Sequence, residues 1–429
     1  MTGVTVSYDS SQVYLRTFEP GNHVLNQGDG TVLFLSQIEP EVPSVELGGA
    51  IMGATSATAV TGAGLCRQPL ASDVNPIALA LARAKNTSVE APSVASRLAQ
   101  LREGFDRLTF LPDANVQDDD IQLIYHPGTL AQLCYLRRSL VNSHDQEDEF
   151  LLGALLGVMH GSERQDGSSA YASISMPNTF SMSPNYVRKF VATNRLSRVE
   201  RDVFEILEAK ISRLFRAGIP DFPQGEVMSL DAKELAGSDV AERYAGKVGL
   251  VVTSPPYLAV VNYAKQNWIR DWLLARSGDQ DGVSALDDKL NLGDWLDFLD
   301  RVVDGLEVLL APGGTIAMVV GDVAKPGKNY ISLARDLIQR MSHRGGFGWI
   351  GCLEDDSGSS EKTTRIWKDT KGRATDVDRV ILLSRSKPKI STSELASSLG
   401  VEGGSIDTSL FDADLLAEKA GEFSRTLSG

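Results

Sequence analysis

The chain has 429 residues, 42% hydrophobic, 23% charged and 7% aromatic, a globular composition that excludes a wholly disordered or fibrous protein. Against 42 Lys and Arg stand 56 Asp and Glu, a formal net charge of −14 that argues against broad nonspecific attraction to phosphate. No apolar run approaches the roughly 20 residues that span a bilayer, and the opening MTGVTVSYDSSQVYL lacks the basic patch and apolar core of a signal peptide, so a cytoplasmic protein is expected. Cys66, Cys134 and Cys352 form no CxxC pair, which points away from a disulfide framework or a cysteine zinc site.

Four zones follow along the chain. Residues 1–90 read as short strands with glycine-rich connections, Val32–Leu35 among them, then SVELGGAIMG, a strand ending in QPLASDVNP, and a helix over IALALARAKN that begins after Pro76. Residues 91–225 read as a mainly helical insert. SVASRLAQLREGFDRL, TLAQLCYLRRSLVN, DEFLLGALLGVMHG and SRVERDVFEILEAKISRLFRAG all repeat apolar residues at helical spacing, and a long polar loop, GSSAYASISMPNTFSMSPNY, lies between them. In residues 226–388 the strand-like EVMSLD, VGLVVTS, GTIAMVVGD, GFGWIGCL and VDRVILLSR alternate with helical AKQNWIRDWLLAR, LGDWLDFLDRVVDGLEVLL and YISLARDLIQRMSHR. Such alternation predicts a mostly parallel α/β sheet with helices on both faces, and the last two strands predict an antiparallel edge. Residues 389–429 form an acidic, Ser-rich tail.

The segment richest in chemistry is VGLVVTSPPYLAVVNYAKQNW, where a buried apolar strand breaks into Ser254-Pro255-Pro256-Tyr257. Two prolines cannot continue a strand ladder, and in an open α/β sheet the carboxyl end of a strand is where ligands bind. An exocyclic amino group on a base is a poor nucleophile because its lone pair is delocalised into the ring. A hydroxyl at Ser254 and a carbonyl at Pro255 suit its two hydrogens, and Tyr257 suits stacking on a base held outside a duplex.

With that turn, the chain resembles the amino-directed, S-adenosylmethionine-dependent DNA methyltransferases, in particular the SPPY group associated with cytosine N4. The resemblance covers most of residues 45–385 and includes DVNPIALALARAK, SLDAKEL, LLAPGGTIAMVVGDV and RIWKDTKGRATDVDRVILL. YHPGTLAQLCYLRRSL, ALLGVMHG and SMPNTFSMSPNYV resemble a helical insert carried by a subset of these enzymes. It implies a Rossmann-like methyltransferase sheet, mostly parallel with an antiparallel edge hairpin, in two parts (1–90 and 226–388) around a target-recognition insert at 91–225. It also implies S-adenosyl-L-methionine as cofactor, with Asp73 at the ribose hydroxyls, Asn75 and Pro76 alongside, and Asp231 near the adenine amino group. The substrate implied is double-stranded DNA with a flipped cytosine, methylated at N4.

The resemblance departs at the cofactor loop. Where the family carries Asp-Pro-x-x-Gly-x-Gly, this chain has Gly49-Ala50-Ile51-Met52-Gly53-Ala54-Thr55-Ser56, keeping Gly53 and placing a β-branched Thr55 at the second glycine position. That departure raises a second reading, a DNA-recognition subunit working beside a restriction or defence partner. A third moves the same chemistry to adenine N6 or to RNA. Cytosine C5 methylation fares worse, because it needs a cysteine nucleophile, usually in a Pro-Cys context, and none of the three cysteines has one. The five histidines show no metal-binding spacing, so no metal is expected, and His126 and His160 are read as local structural residues.

DNA binding by so acidic a chain requires local positive charge. Arg137, Arg138, Arg188 and Lys189 lie in the insert, the last two in a run that continues to Arg195, Arg198 and Arg201. A second group surrounds Arg365 and Arg373, with Lys325, Lys328, Lys362, Lys368 and Lys371 and the aromatics Tyr330 and Trp367.

Overall fold

The structure is a computed structural model that describes residues 4–9, 12–17, 22–26, 48–52, 69–176, 183–216, 225–256, 263–275, 290–325, 328–356 and 374–385. Strands β1 (Val4–Asp9), β2 (Gln12–Thr17) and β3 (Asn22–Asn26) form a small antiparallel sheet, with Val4 opposite Thr17 and Gln12 opposite Asn26. The strand expected at Val32–Leu35 lies outside the described residues.

The main sheet contains β4 (Gly48–Met52), β5 (Pro69–Asp73), β6 (Glu226–Ser229), β7 (Val248–Thr253), β8 (Leu310–Lys325), β10 (Trp349–Asp356) and β11 (Ala374–Ser384), with β9 (Lys328–Ile331) paired to β8. The order across it is β10-β11-β8-β7-β4-β5-β6. Strands β5, β4, β7 and β8 run parallel, with Met52 opposite both Ser72 and Thr253 and with Thr253 opposite Met318. Strand β11 runs antiparallel to β8, and β10 antiparallel to β11. This is a Rossmann-like α/β sheet, mostly parallel with an antiparallel edge hairpin. The chain lays β4, β5 and β6 outward in one direction and β7 and β8 in the other, so the order reverses between β4 and β7, the switch point at which such sheets open a crevice.

Helices cover this sheet because their apolar residues recur at 3.6-residue spacing. Helix α11 (Leu292–Leu309), capped by Asn291, buries Trp295, Leu299, Val302, Val303, Leu306 and Leu309 in one stripe. These meet Val248, Val251, Ile316 and Met318 of the sheet in a common core. Each fully buried side chain of this size contributes about 1.5–3 kcal/mol. A 3₁₀ helix (Ala232–Gly237) and α9 (Asp239–Tyr244) follow β6, and α12 (Leu333–Arg344), capped by Ser332, precedes β10. A Cβ at Gly305 of α11 would stand 2.7 Å from Leu235 Cβ, so only glycine lets α11 and the 3₁₀ helix approach this closely.

Contacts divide the chain into two units, one of residues 1–73, 228–261 and 287–429, the other of 74–227 and 262–286. The second unit is helical: α1 (Pro76–Asn86), α2 (Ala91–Glu103), α3 (Arg107–Asn115), α4 (Asp119–Ile124), α5 (Pro127–Leu140), α6 (Gln146–Leu156), α7 (Pro184–Asn194), α8 (Val203–Phe215) and, much later in the chain, α10 (Tyr263–Leu274). The division falls earlier than the boundary near residue 90 expected from sequence. Helix α1 packs on α6 so tightly that a Cβ at Gly153 would collide with Ala84 Cβ. Helix α10 joins the same unit through Ile269, Trp272 and Leu273, through Trp272 Nε1 donating to Gln117 Oε1 at 2.8 Å, and through Arg270 Nε donating to Leu156 O at 3.2 Å. A partly buried ion pair, half-buried Arg97 with buried Asp148 at 2.7 and 3.0 Å, ties α2 to α6. Helix α7 begins at the end of the segment expected to be a polar loop, because Ser183 caps Tyr186 N and Pro184 opens its first turn.

Candidate functional site

At the carboxyl end of β7, the buried Thr253 leads into half-buried Ser254, buried Pro255 and half-buried Pro256. The turn stands beside the end of β4, at the switch point of the sheet. Its two prolines fix φ and offer no N–H, so its shape depends on what its carbonyls meet. Trp295, fully buried on α11, donates its indole Nε1–H to Pro256 O at 2.8 Å. A rigid core side chain thus holds the far end of the turn. Sequence reasoning missed Trp295, since a Trp in the apolar stripe of an amphipathic helix reads only as core.

Asp73 is the half-buried last residue of β5, the neighbour of β4 on the other side. One strand therefore separates it from Ser254, about 10 Å at ordinary strand spacing. The adjacent Ser72 Oγ is buried and has no hydrogen-bond partner among the described residues. Asn75, expected at the cofactor, uses its side chain as the N-cap of α1, Oδ1 accepting from Ile77 N at 2.9 Å. Asp231 does similar work at the 3₁₀ helix: Oδ1 accepts from Lys233 N at 2.9 Å and Oδ2 lies 3.3 Å from Lys233 Nζ. The Lys233 ammonium in turn lies 5.7 Å from the Phe298 ring centroid. Asp73 is thus an acceptor-only carboxylate at a strand end, beside an unused buried hydroxyl. A carboxylate acceptor beside a hydroxyl fits a ligand with paired hydroxyl donors, such as the ribose of S-adenosylmethionine. Asp231 fits only as a shared acceptor, since the cap already draws on it.

The structure therefore brings Ser254, Pro255, Pro256 and Asp73 to the ends of nearby parallel strands, with β4 between them. Tyr257, Gly53, Thr55, Arg365 and Arg373 lie outside the described residues, as do Lys362, Lys368, Lys371 and Trp367, while Lys325 falls on β8 and Lys328 and Tyr330 on β9.

The insert arginines are largely engaged within the helical unit. Arg137, half-buried, donates to Ala275 O, its guanidinium lies 5.4 Å from the Trp272 ring centroid, and partial burial lowers its pKa. Arg138 pairs with Asp113 at 2.8 Å and lies 4.9 Å from the Phe110 ring centroid. Arg188 binds both oxygens of Asp120, at 2.6 and 2.7 Å. Lys189 is exposed. His126 caps α5 through Nδ1, which accepts from Gly128 N at 3.2 Å. Among the described residues no cluster of His, Cys, Asp and Glu could hold a metal ion, and no helix is long and apolar enough to cross a membrane.

No protein-family model matches the chain, and neither does any curated protein. Among solved structures it is similar to a candidate DNA modification methylase of Thermus thermophilus, at 24% identity and a TM-score of 0.23 over 39% of this chain and 56% of that one. The same methylase in complex with S-adenosyl-L-methionine gives 23% identity and the same TM-score. The match spans little more than half the length of that methylase.

Proposed function

We propose that the chain is an S-adenosylmethionine-dependent methyltransferase acting on an exocyclic amino group of a base in DNA, with cytosine N4 as its target. The observation that carries this reading is the Ser254-Pro255-Pro256 turn, standing at the switch point of a Rossmann-like sheet and held at its far end by Trp295. S-adenosylmethionine, when bound, supplies an electrophilic methyl group. Ser254 Oγ and Pro255 O accept the two amino hydrogens, which localises the nitrogen lone pair and turns it toward the electrophile. Tyr257, the next residue, stacks on the extruded base. Asp73 accepts from the ribose hydroxyls and Asp231 lies toward the adenine, its other contacts already made with Lys233. Catalysis of this kind needs positioning and electrostatic complementarity and no covalent intermediate.

The test is transfer of labelled methyl from S-adenosylmethionine to mixed-sequence duplex DNA, followed by mass spectrometry of the nucleosides. N4-methylcytosine is the expected product, and Ser254→Ala is expected to lower kcat by about 10²-fold, as loss of one oriented hydrogen-bond partner does elsewhere. Label on C5 overturns the chemistry. Label on adenine N6 keeps the turn but corrects the base.

A second reading, a catalytically inactive recognition subunit, is favoured by one observation, Thr55 where a glycine is expected. Calorimetric titration with S-adenosylmethionine separates the two: micromolar binding counts heavily against the inactive subunit.

A further inference from the structure

Helix α7 differs from its neighbours in how little of it is spent on packing. Val187 is its one fully buried side chain, with Phe190 and Val191 partly buried against the helical core. Tyr186 stacks on Phe190 at 6.2 Å along one flank. On the other flank Arg188 is bound by Asp120, and Asp119 adds to the field there, so that cation is neutralised by α4 and serves to fix the rotation of the helix. Between the flanks Lys189, Ala192 and Thr193 form one exposed face, and Asn185, whose Oδ1 accepts from Arg188 at 3.2 Å, borders it on the Arg188 side with its amide N–H groups outward of that bond.

Two further observations bear on what that face meets. Between Asp166 and Glu200 the chain has no acidic residue, although acids outnumber bases over the whole sequence; of the four cations in that stretch, Arg188 is paired with Asp120 and Arg198 donates to Gln122 O at 2.6 Å, while Lys189 and Arg195 are exposed. Arg195, exposed, ends α7 in the left-handed conformation at φ 51° and ψ 42°, the one non-glycine residue at positive φ among the described residues. Glycine or asparagine is the usual occupant there, so a long cation is kept at a conformational cost.

We infer that α7 is the element by which the helical unit reads double-stranded DNA: it lies in the major groove with Asn185, Lys189, Ala192 and Thr193 toward the base edges and Arg195 at a phosphate. The inference rests on the DNA reading above. The residue types are those the groove selects, an amide for adenine, an ammonium for guanine, and methyl-bearing side chains for thymine. At 11 residues the helix is about 16 Å long, enough to follow a few base pairs.

The test is selection by the full chain from a pool of duplexes with a randomised core, with affinity for the selected site measured across a salt series. The wild-type chain is expected to enrich a defined site. Lys189→Ala and Asn185→Ala are expected to relax preference at one or two positions, by about 5- to 100-fold each. Arg195→Gly is expected to weaken binding evenly across sequences and lower the salt slope by about 1, while raising Tm. All three residues are exposed, and unchanged circular dichroism verifies the fold. Variants that select the same site with wild-type affinity and salt slope overturn the assignment, and if they still methylate DNA the methyltransferase reading stands without it. A chain that selects a site through α7 but transfers no methyl group sinks the methyltransferase reading alone. Failure of the wild-type chain to select any duplex, or preference for single-stranded or structured RNA, overturns the assignment as well.

Discussion

Trp295 connects packing to chemistry in a single side chain. Its ring fills the core beneath the sheet and its indole N–H fixes Pro256 O, so the proline turn inherits the rigidity of α11. Trp295→Phe keeps most of the apolar contact and removes the hydrogen bond, at a cost of about 1 kcal/mol in stability. Because the turn acts by position, kcat should fall by about 10- to 100-fold while Tm moves only a few degrees. Equal kcat in the two proteins would show that the prolines hold the turn unaided. A different residue sets a pH dependence. Burial pushes the carboxyl of Asp271 on α10 up to about 7 from its ordinary 3.8, with Arg270 pulling the other way. A raised carboxyl stabilises the fold only while protonated: below about pH 4 nothing is lost, and stability falls as pH rises from there to about 7. Asp271→Asn should therefore raise Tm at pH 8 and leave it unchanged near pH 4. Because solvent still reaches part of the group, the gain is about 1–2 kcal/mol.

At the scale of elements, the close approach of α11 to the 3₁₀ helix bears on the site, because Asp231 is the cap of that 3₁₀ helix. Gly305→Ala must push the two apart. A loss of about 1–3 kcal/mol is expected, with weaker S-adenosylmethionine binding measured by titration and little change in duplex affinity. Relief of the left-handed Arg195 by glycine should work in the opposite sense, adding about 1 kcal/mol to stability. The elements themselves were largely legible in the sequence. β7 announces itself as an apolar run broken by two prolines, and α11 as a long amphipathic stripe, since both follow from local periodicity. Helix α7 was not, because only its cap and first-turn proline mark it and most of its surface is polar. Nor was the pairing of β4 with β7, which joins segments far apart in the chain. The positions of Asp73 and of the proline turn at strand ends were readable. The work of Asn75 as a helix cap, the hydrogen bond of Trp295 and the stacking of Arg137 over Trp272 were not, because each depends on a partner that no local pattern names.

For the whole molecule, net charge conceals its distribution. An excess of acid coexists with an acid-free stretch of sequence from 167 to 199, beside which α4 brings Asp119 and Asp120 to Arg188, so the charge of −14 limits nonspecific binding without forbidding a local basic surface at Lys189 and Arg195. The division into two units is equally uneven along the chain. The helical unit is written in two pieces, 74–227 and 262–286, and the piece that completes it follows β7 and the proline turn. A fragment of residues 74–227 lacks Ile269, Trp272 and Leu273, all at least nine-tenths buried, and should expose an apolar surface that binds a hydrophobic dye and should melt without a sharp transition. The order of synthesis is then constrained. When α1 to α8 have left the ribosome their core still has a gap, and it closes only after β7 has emerged. The sheet at that moment still waits for β8 and β11. Neither unit can finish folding before the other has begun, so the nascent chain must carry two incomplete cores together until α10 is out, and the strand end that bears Ser254 is made in the middle of that interval.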